Sequence, residues 1–120
     1  MRNKITPVAA IATLALAACG GNSQTALEKV GKTCGVESAV DDGGKSLSLD
    51  TEGKEDGSGD TLIQVACVLK TTKAPNSVVE RMDHTRALDG TQTGDWDGYH
   101  ATWSYHPDTG MFLLIEEAKS

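Results

Sequence analysis

The chain has 120 residues, enough for one domain, and carries 38% hydrophobic and 23% charged residues with a formal net charge of −6. A surface this acidic is repelled by nucleic acid and by anionic lipid, which argues against a nucleic-acid partner. An acidic solvated face accounts for the charge; a cationic partner or divalent ions are the other candidates it admits.

Residues 1–18 have the three parts of a secretory signal. Arg2 and Lys4 give a positive start with no acid beside them. Ile5 to Ala18 is an apolar run of fourteen residues, interrupted only by Thr6, Pro7 and Thr13. A helix needs ~20 residues to cross a bilayer core, so this run is too short to span one. It closes on Leu16-Ala17-Ala18-Cys19. That motif resembles the lipobox of bacterial lipoproteins at all four positions. Small side chains let the backbone enter the peptidase groove, and the Cys thiolate is a nucleophile able to take a diacylglyceryl group.

The resemblance implies cleavage before Cys19, lipidation of its sulfur and anchoring in a membrane. Two or three acyl chains hold stably, at ~0.8 kcal/mol per buried methylene. Gly20 after the Cys resembles outer-membrane routing in a Gram-negative cell. In a Gram-positive cell the location is the outer face of the plasma membrane. Removing 18 of 120 residues leaves 102, and losing Arg2 and Lys4 from the eleven bases against seventeen acids makes the net charge −8.

With Cys19 assigned to lipid, Cys34 and Cys67 remain. An oxidising compartment predicts that they pair, closing a loop that stabilises by ~3–4 kcal/mol. The chain has no Cys-x-x-Cys and no His near either Cys in sequence, which argues against a redox pair or metal thiolates.

Residues 19–24 form a short lipidated tether, and residues 25–120 form the domain. Thr25-Ala26-Leu27-Glu28 is a capping box opening a helix whose apolar face is Ala26, Leu27, Val30 and Cys34, with Gly35 as the stop. Asp41-Asp42-Gly43-Gly44 is a turn, and alternation over residues 45–51 predicts a half-buried strand with Leu47 and Leu49 inward. Residues 52–60 read as a hydrophilic hairpin loop. Residues 61–70 are expected as the strongest strand, with Ile63, Val65, Cys67 and Leu69 on one side and Cys67 facing the core. Pro75 and the Ser77-Val78-Val79-Glu80 capping box predict a second helix, with Val78, Val79, Met82, Thr85 and Leu88 as its face and Asp89-Gly90 as its end. Residues 91–94 are loop or a short strand.

Every Phe, Trp and Tyr lies in the last third. Asp97-Gly98 is a turn. Tyr99, Ala101, Trp103 and Tyr105 alternate with His100, Thr102, Ser104 and His106. Pro107-Asp108-Thr109-Gly110 has the chemistry of a hairpin turn, and residues 111–115 return as an apolar strand before a polar tail. The segment Trp103-Ser104-Tyr105-His106-Pro107-Asp108 is similar to small uncharacterised lipoprotein domains of actinobacteria, and that resemblance implies no function. The expected fold is α+β, in the order α-β-β-α-β-β: a four-stranded antiparallel sheet with two helices on one face. A β-rich barrel is the alternative.

For chemistry, the aromatic hairpin is either the core of a small sheet or a surface that stacks a sugar or grips a peptide. Trp96, flanked by Asp95 and Asp97, is the expected exposed contact, with Tyr99, Trp103 and Tyr105 the other candidates. His100 and His106 share a strand face but lie ~20 Å apart, too far for one metal. His84 adjoins Asp83, and neighbours on a helix do not face each other. Asp56-Gly57-Ser58-Gly59-Asp60 resembles the start of a calcium loop, but Thr61 stands where its Gly belongs and Cys67 where its bidentate acid belongs. No nucleophile motif, phosphate loop or dinucleotide fingerprint occurs, so neither a cofactor nor catalytic residues are expected. The reading is a lipid-anchored extracytoplasmic module, held to the membrane through Cys19, that binds a protein or glycan partner or supports the envelope. The alternative is a small enzyme or ion-dependent protein using the His100/His106 face.

Overall fold

The computed structural model describes residues 23–55 and 57–118. The signal at residues 1–18, the lipobox with Cys19, the start of the tether and Asp56 of the calcium-like motif lie outside them. Helix α1 (Ala26–Cys34) begins on the predicted box: the Glu28 amide donates to Thr25 Oγ1 at 3.1 Å and the Thr25 amide donates to Glu28 Oε1 at 2.8 Å. It stops at Gly35, whose φ of 71° is the left-handed conformation glycine adopts without strain. Gly31 belongs in this helix for a steric reason. A Cβ there would stand 2.7 Å from Val40 Cγ2, so glycine lets α1 lie against strand β1 (Val40–Asp41).

Strand β2 (Ser46–Asp50) follows, with Leu47 and Leu49 buried as predicted. The next element corrects the sequence reading. Residues 61–70 are not a strand; helix α2 runs Leu62–Thr71. Thr61 Oγ1 accepts from the Gln64 amide at 3.1 Å and Gln64 Oε1 accepts from the Thr61 amide at 2.8 Å, a second capping box. The run is apolar at both alternating sets of positions, so period two is no better a fit than the helical stripe of Leu62, Val65 and Leu69.

Helix α3 (Asn76–Asp83) begins one residue after Pro75, so Ser77 sits inside its first turn and caps nothing. It ends before Thr85. Leu88, expected on its apolar face, lies in a 3₁₀ turn (Ala87–Asp89) and is 91% exposed. Strands β3 (Gln92–Trp96), β4 (Tyr99–His106) and β5 (Gly110–Glu117) complete the chain.

The α+β class is therefore as expected, but the described residues hold three α-helices and five strands rather than two and four. The order is α-β-β-α-α-β-β-β, and the antiparallel sheet runs β1-β2-β5-β4-β3. The turn at Asp97-Gly98 takes two residues of positive φ, 47° and 85°, between the paired Trp96 and Tyr99. The centre of the sheet is β5, which pairs Leu49 with Leu113 on one side and Trp103 with Leu113 on the other.

One face of the sheet is covered by the helices. Leu47, Ala101, Trp103, Leu113 and Ile115 point into it and are fully buried. The other face carries Ser48, Asp50, Asp95, His100, Thr102, Ser104 and Glu116. Cys34 and Cys67 form a disulfide with Cα atoms 5.7 Å apart, tying the end of α1 to the middle of α2. The Thr71 hydroxyl lies 3.6 Å from Cys34 Sγ and 3.8 Å from Cys67 Sγ.

Candidate functional site

The aromatic residues divide by depth. Trp103 has no exposed surface; its Nε1 donates to Thr85 Oγ1 at 2.9 Å, and the Arg81 guanidinium stands 5.2 Å over its ring. Trp96 is only 7% exposed, and its Nε1 donates to the Thr72 carbonyl at 3.1 Å. The expectation that Trp96 is an exposed contact is thus corrected. Its two acidic neighbours point away because strand alternation sends Asp95 to the opposite face and Asp97 sits in the turn. Both Trp side chains belong to the core and are closed to a ligand. Tyr99 is half-buried against the same core, and burial, followed by the charges of Asp97 and Glu117, raises its phenol pKa above the ordinary value.

Tyr105 differs. Strand parity places it on the covered face with Ala101 and Trp103, yet it is 40% exposed. It lines an open groove beside the helix layer. That groove, of about 1220 Å³, lies between α2, α3 and the β4–β5 turn, and its lining includes Tyr105 and Met111. One wall is the α2 stripe of Leu62, Val65 and Leu69, and the other is Val79 and Met82 of α3. Leu62 begins that stripe at the first residue of α2 and is 72% exposed.

The end of the groove is closed by residues 51–54 and 59–60. That loop, expected only as a hydrophilic connection, is docked on the β4–β5 turn. Lys54 N donates to the Pro107 carbonyl at 2.9 Å and Glu55 N to the Asp108 carbonyl at 2.8 Å. Met111 N donates to Thr51 Oγ1 at 2.8 Å. A Cβ on Gly53 would collide with the Asp108 and Gly110 backbone, so glycine makes this backbone-on-backbone contact possible. Asp60 Oδ2 accepts from the Asp50 amide at 2.8 Å. The groove's charged rim is mixed with an acidic excess, Glu52, Asp60 and Asp83 against Lys54 and Lys70.

The histidines occupy separate surroundings. His100 Nδ1 is 2.7 Å from Asp95 Oδ1, across the β3–β4 pair. His106 Nδ1 accepts from the Asp108 amide at 3.1 Å. His84 meets Glu80 at 3.8 Å, one turn back, rather than the adjacent Asp83. Among the described residues no group of three or more His, Cys, Asp or Glu could hold a metal ion, and no helix is long and apolar enough to cross a membrane.

Of the aromatic contacts expected from sequence only Tyr105 lines the groove, joined by Gly59, Asp60 and Thr61 of the calcium-like stretch; Leu62, Val65, Leu69 and Met111 carry no signal of a site in the sequence. The signal that places the α2 wall is the spacing Thr61-Leu62-Ile63-Gln64, a capping box that starts a helix where alternation suggests a strand. Comparison with known protein families, with curated proteins and with solved structures finds no match in any of the three.

Proposed function

We propose that this chain is a lipid-anchored extracytoplasmic protein whose single small domain is a non-catalytic binding module. The observation that carries the binding role is the unroofed apolar groove at Leu62 and Tyr105, where side chains of the core-facing stripe and core-facing strand side stay open to solvent. A small domain gains little by leaving such surface uncovered, and exposed apolar surface rimmed by polar residues marks interaction sites. The lipobox at Leu16-Ala17-Ala18-Cys19 supports the anchor. The Cys34–Cys67 disulfide supports an oxidising compartment.

Cys19→Ser tests the anchor. The variant is expected to lose metabolic labelling with palmitate and to leave the membrane fraction or accumulate as precursor. Full labelling of the variant would refute lipidation at this residue.

A further inference from the structure

We propose that the Cys34–Cys67 disulfide is an exchange site in the folded protein. A dithiol reductant attacks Cys34 Sγ, the electron pair leaves on Cys67 Sγ, and the Thr71 hydroxyl stabilises the thiolate that forms. Exchange at this bond depends neither on the lipid anchor nor on the binding role of the groove. Two cysteines with a sequence separation of 33 are not the Cys-x-x-Cys pair of an oxidoreductase, but they form a bond that such a dithiol can open.

Access decides first whether a thiol can act. Exchange needs a thiolate to reach one of the sulfurs, and exposed disulfides are the labile and regulatory ones. This bond joins the last residue of α1 to the middle of α2, and both cysteines are half-buried rather than enclosed in the core. Thr71 beside them is exposed. Gly35, the residue after Cys34, has no side chain, and a Cβ built on it would meet nothing within 4 Å. A reductant thus approaches Cys34 past the end of α1 without meeting a side chain at the next position.

Helix position then decides which sulfur leaves. Cys34 stands at the end of α1, where the unpaired carbonyls form the negative pole of the helix and disfavour an anion. Cys67 lies a full turn before the end of α2, clear of the corresponding pole. The sulfur better able to carry charge leaves faster. The incoming sulfur therefore bonds to Cys34, and the charge forms on Cys67.

Thr71 is placed to receive that charge. Its hydroxyl lies 3.6 Å from Cys34 Sγ and 3.8 Å from Cys67 Sγ. Disulfide sulfurs carry no hydrogen, so the hydroxyl is the donor. Thr72 and Thr85 send their hydroxyls to the carbonyl four residues back, at 2.9 Å and 2.6 Å. Thr71 turns to the sulfurs instead, the groups its hydroxyl meets among the described residues. A neutral sulfur accepts weakly, whereas an ionised acceptor strengthens a hydrogen bond about twofold. The contact gains strength as the S–S bond breaks.

The electrons balance without a cofactor. The first thiolate of the reductant forms a mixed disulfide with Cys34. Its second thiolate then attacks its own sulfur in that mixed disulfide, Cys34 leaves as a thiolate, and the reductant departs as a disulfide. One electron pair passes from the dithiol to the cysteines, and the protons its thiols lose end on Cys34 and Cys67. Helix α2, which carries the Leu62, Val65 and Leu69 wall of the groove, is then no longer covalently tied to α1.

The test uses the full chain, with any free thiol first blocked by iodoacetamide. A brief pulse of reduced glutathione, quenched with acid, traps the mixed disulfide, and mass spectrometry locates it. The adduct is expected on Cys34 over Cys67 by about fivefold or more. Opening by dithiothreitol is expected to rise in proportion to its concentration and to stay level in low urea, as for a bond reached in the native fold. Thr71→Val is expected to slow opening about three- to tenfold, and Thr71→Ser to restore it. Circular dichroism checks that both variants keep the fold. Opening that climbs with urea as global unfolding does would overturn the proposal. So would a glutathione adduct mainly on Cys67, or equal rates in the wild type and Thr71→Val. The adduct and the urea series are read on the unaltered chain, so they decide the matter even where Thr71→Val fails to fold.

Discussion

Removing the disulfide gives the largest effect that can be calculated from this fold. Cys34 and Cys67 are 33 residues apart, and in the chain-entropy model closing a loop of that length restricts the unfolded chain by about 3.7 kcal/mol. The double variant Cys34→Ser/Cys67→Ser releases that restriction without changing side-chain size much. For a domain of this size each kcal/mol moves the melting temperature by about 4–8 °C, so the variant is expected to melt about 15–30 °C lower. It is still expected to fold, because Val65, Val68 and Leu69 keep α2 on the sheet and each contributes about 1.5–3 kcal/mol when fully buried. The loss concentrates in α2, whose tie to α1 is gone. Circular dichroism melts of the oxidised protein, the reduced protein and the double Ser variant measure the shift, and hydrogen exchange of the amides of residues 65–69 locates it. Equal melting of oxidised and reduced protein, or protection lost evenly across the domain, would refute the reasoning.

Thr61→Ala removes the acceptor for the Gln64 amide at the start of α2 and is expected to cost about 1 kcal/mol, whereas Thr61→Ser retains it. Denaturant unfolding of the two variants compares them, and equal stability would count against a helix starting at Leu62. The raised pKa of Tyr99 means that folding favours its neutral phenol. Its contribution is complete below the unfolded value, about 10, and is lost as pH rises through the higher folded value. Ultraviolet titration should show a phenol ionising above the ordinary 10.0 that is missing from Tyr99→Phe, and this variant should resist alkaline unfolding better; an unchanged titration curve would show that Tyr99 is not the late group.

The parts of the fold governed by local chemistry were legible in the sequence. Thr25 with Glu28 starts α1 and Gly35 ends it, because capping groups and a left-handed stop act within one turn. The β4–β5 hairpin and its inward Ala101 and Trp103 follow from clean alternation around a Pro-Asp-Thr-Gly turn. The Cys34–Cys67 pairing is legible from the cysteine count, although Cys67 stands on a helix and not on the expected strand. What failed was non-local. Residues 61–70 are apolar at both parities, and β2 takes its partner, β5, from some sixty positions away. The acidic neighbours of Trp96 suggest exposure, whereas the pleat sends Asp95 to the other face, Asp97 sits in the turn and the indole is buried. The groove was illegible for the same reason: its floor and walls come from β4, β5, α2 and α3, and only their docking creates it.

The place of β5 in the sheet bears on when the protein can fold. It follows every other strand in the sequence, yet it lies between β2 and β4 and gives Leu113 and Ile115 to the centre of the core. Until Gly110–Glu117 emerges, β2 has no neighbour on its inner side, and the β3–β4 ribbon has no sheet to join. A chain that emerges N-terminal end first therefore keeps its sheet open until its last strand arrives, and the sheet closes in one late step.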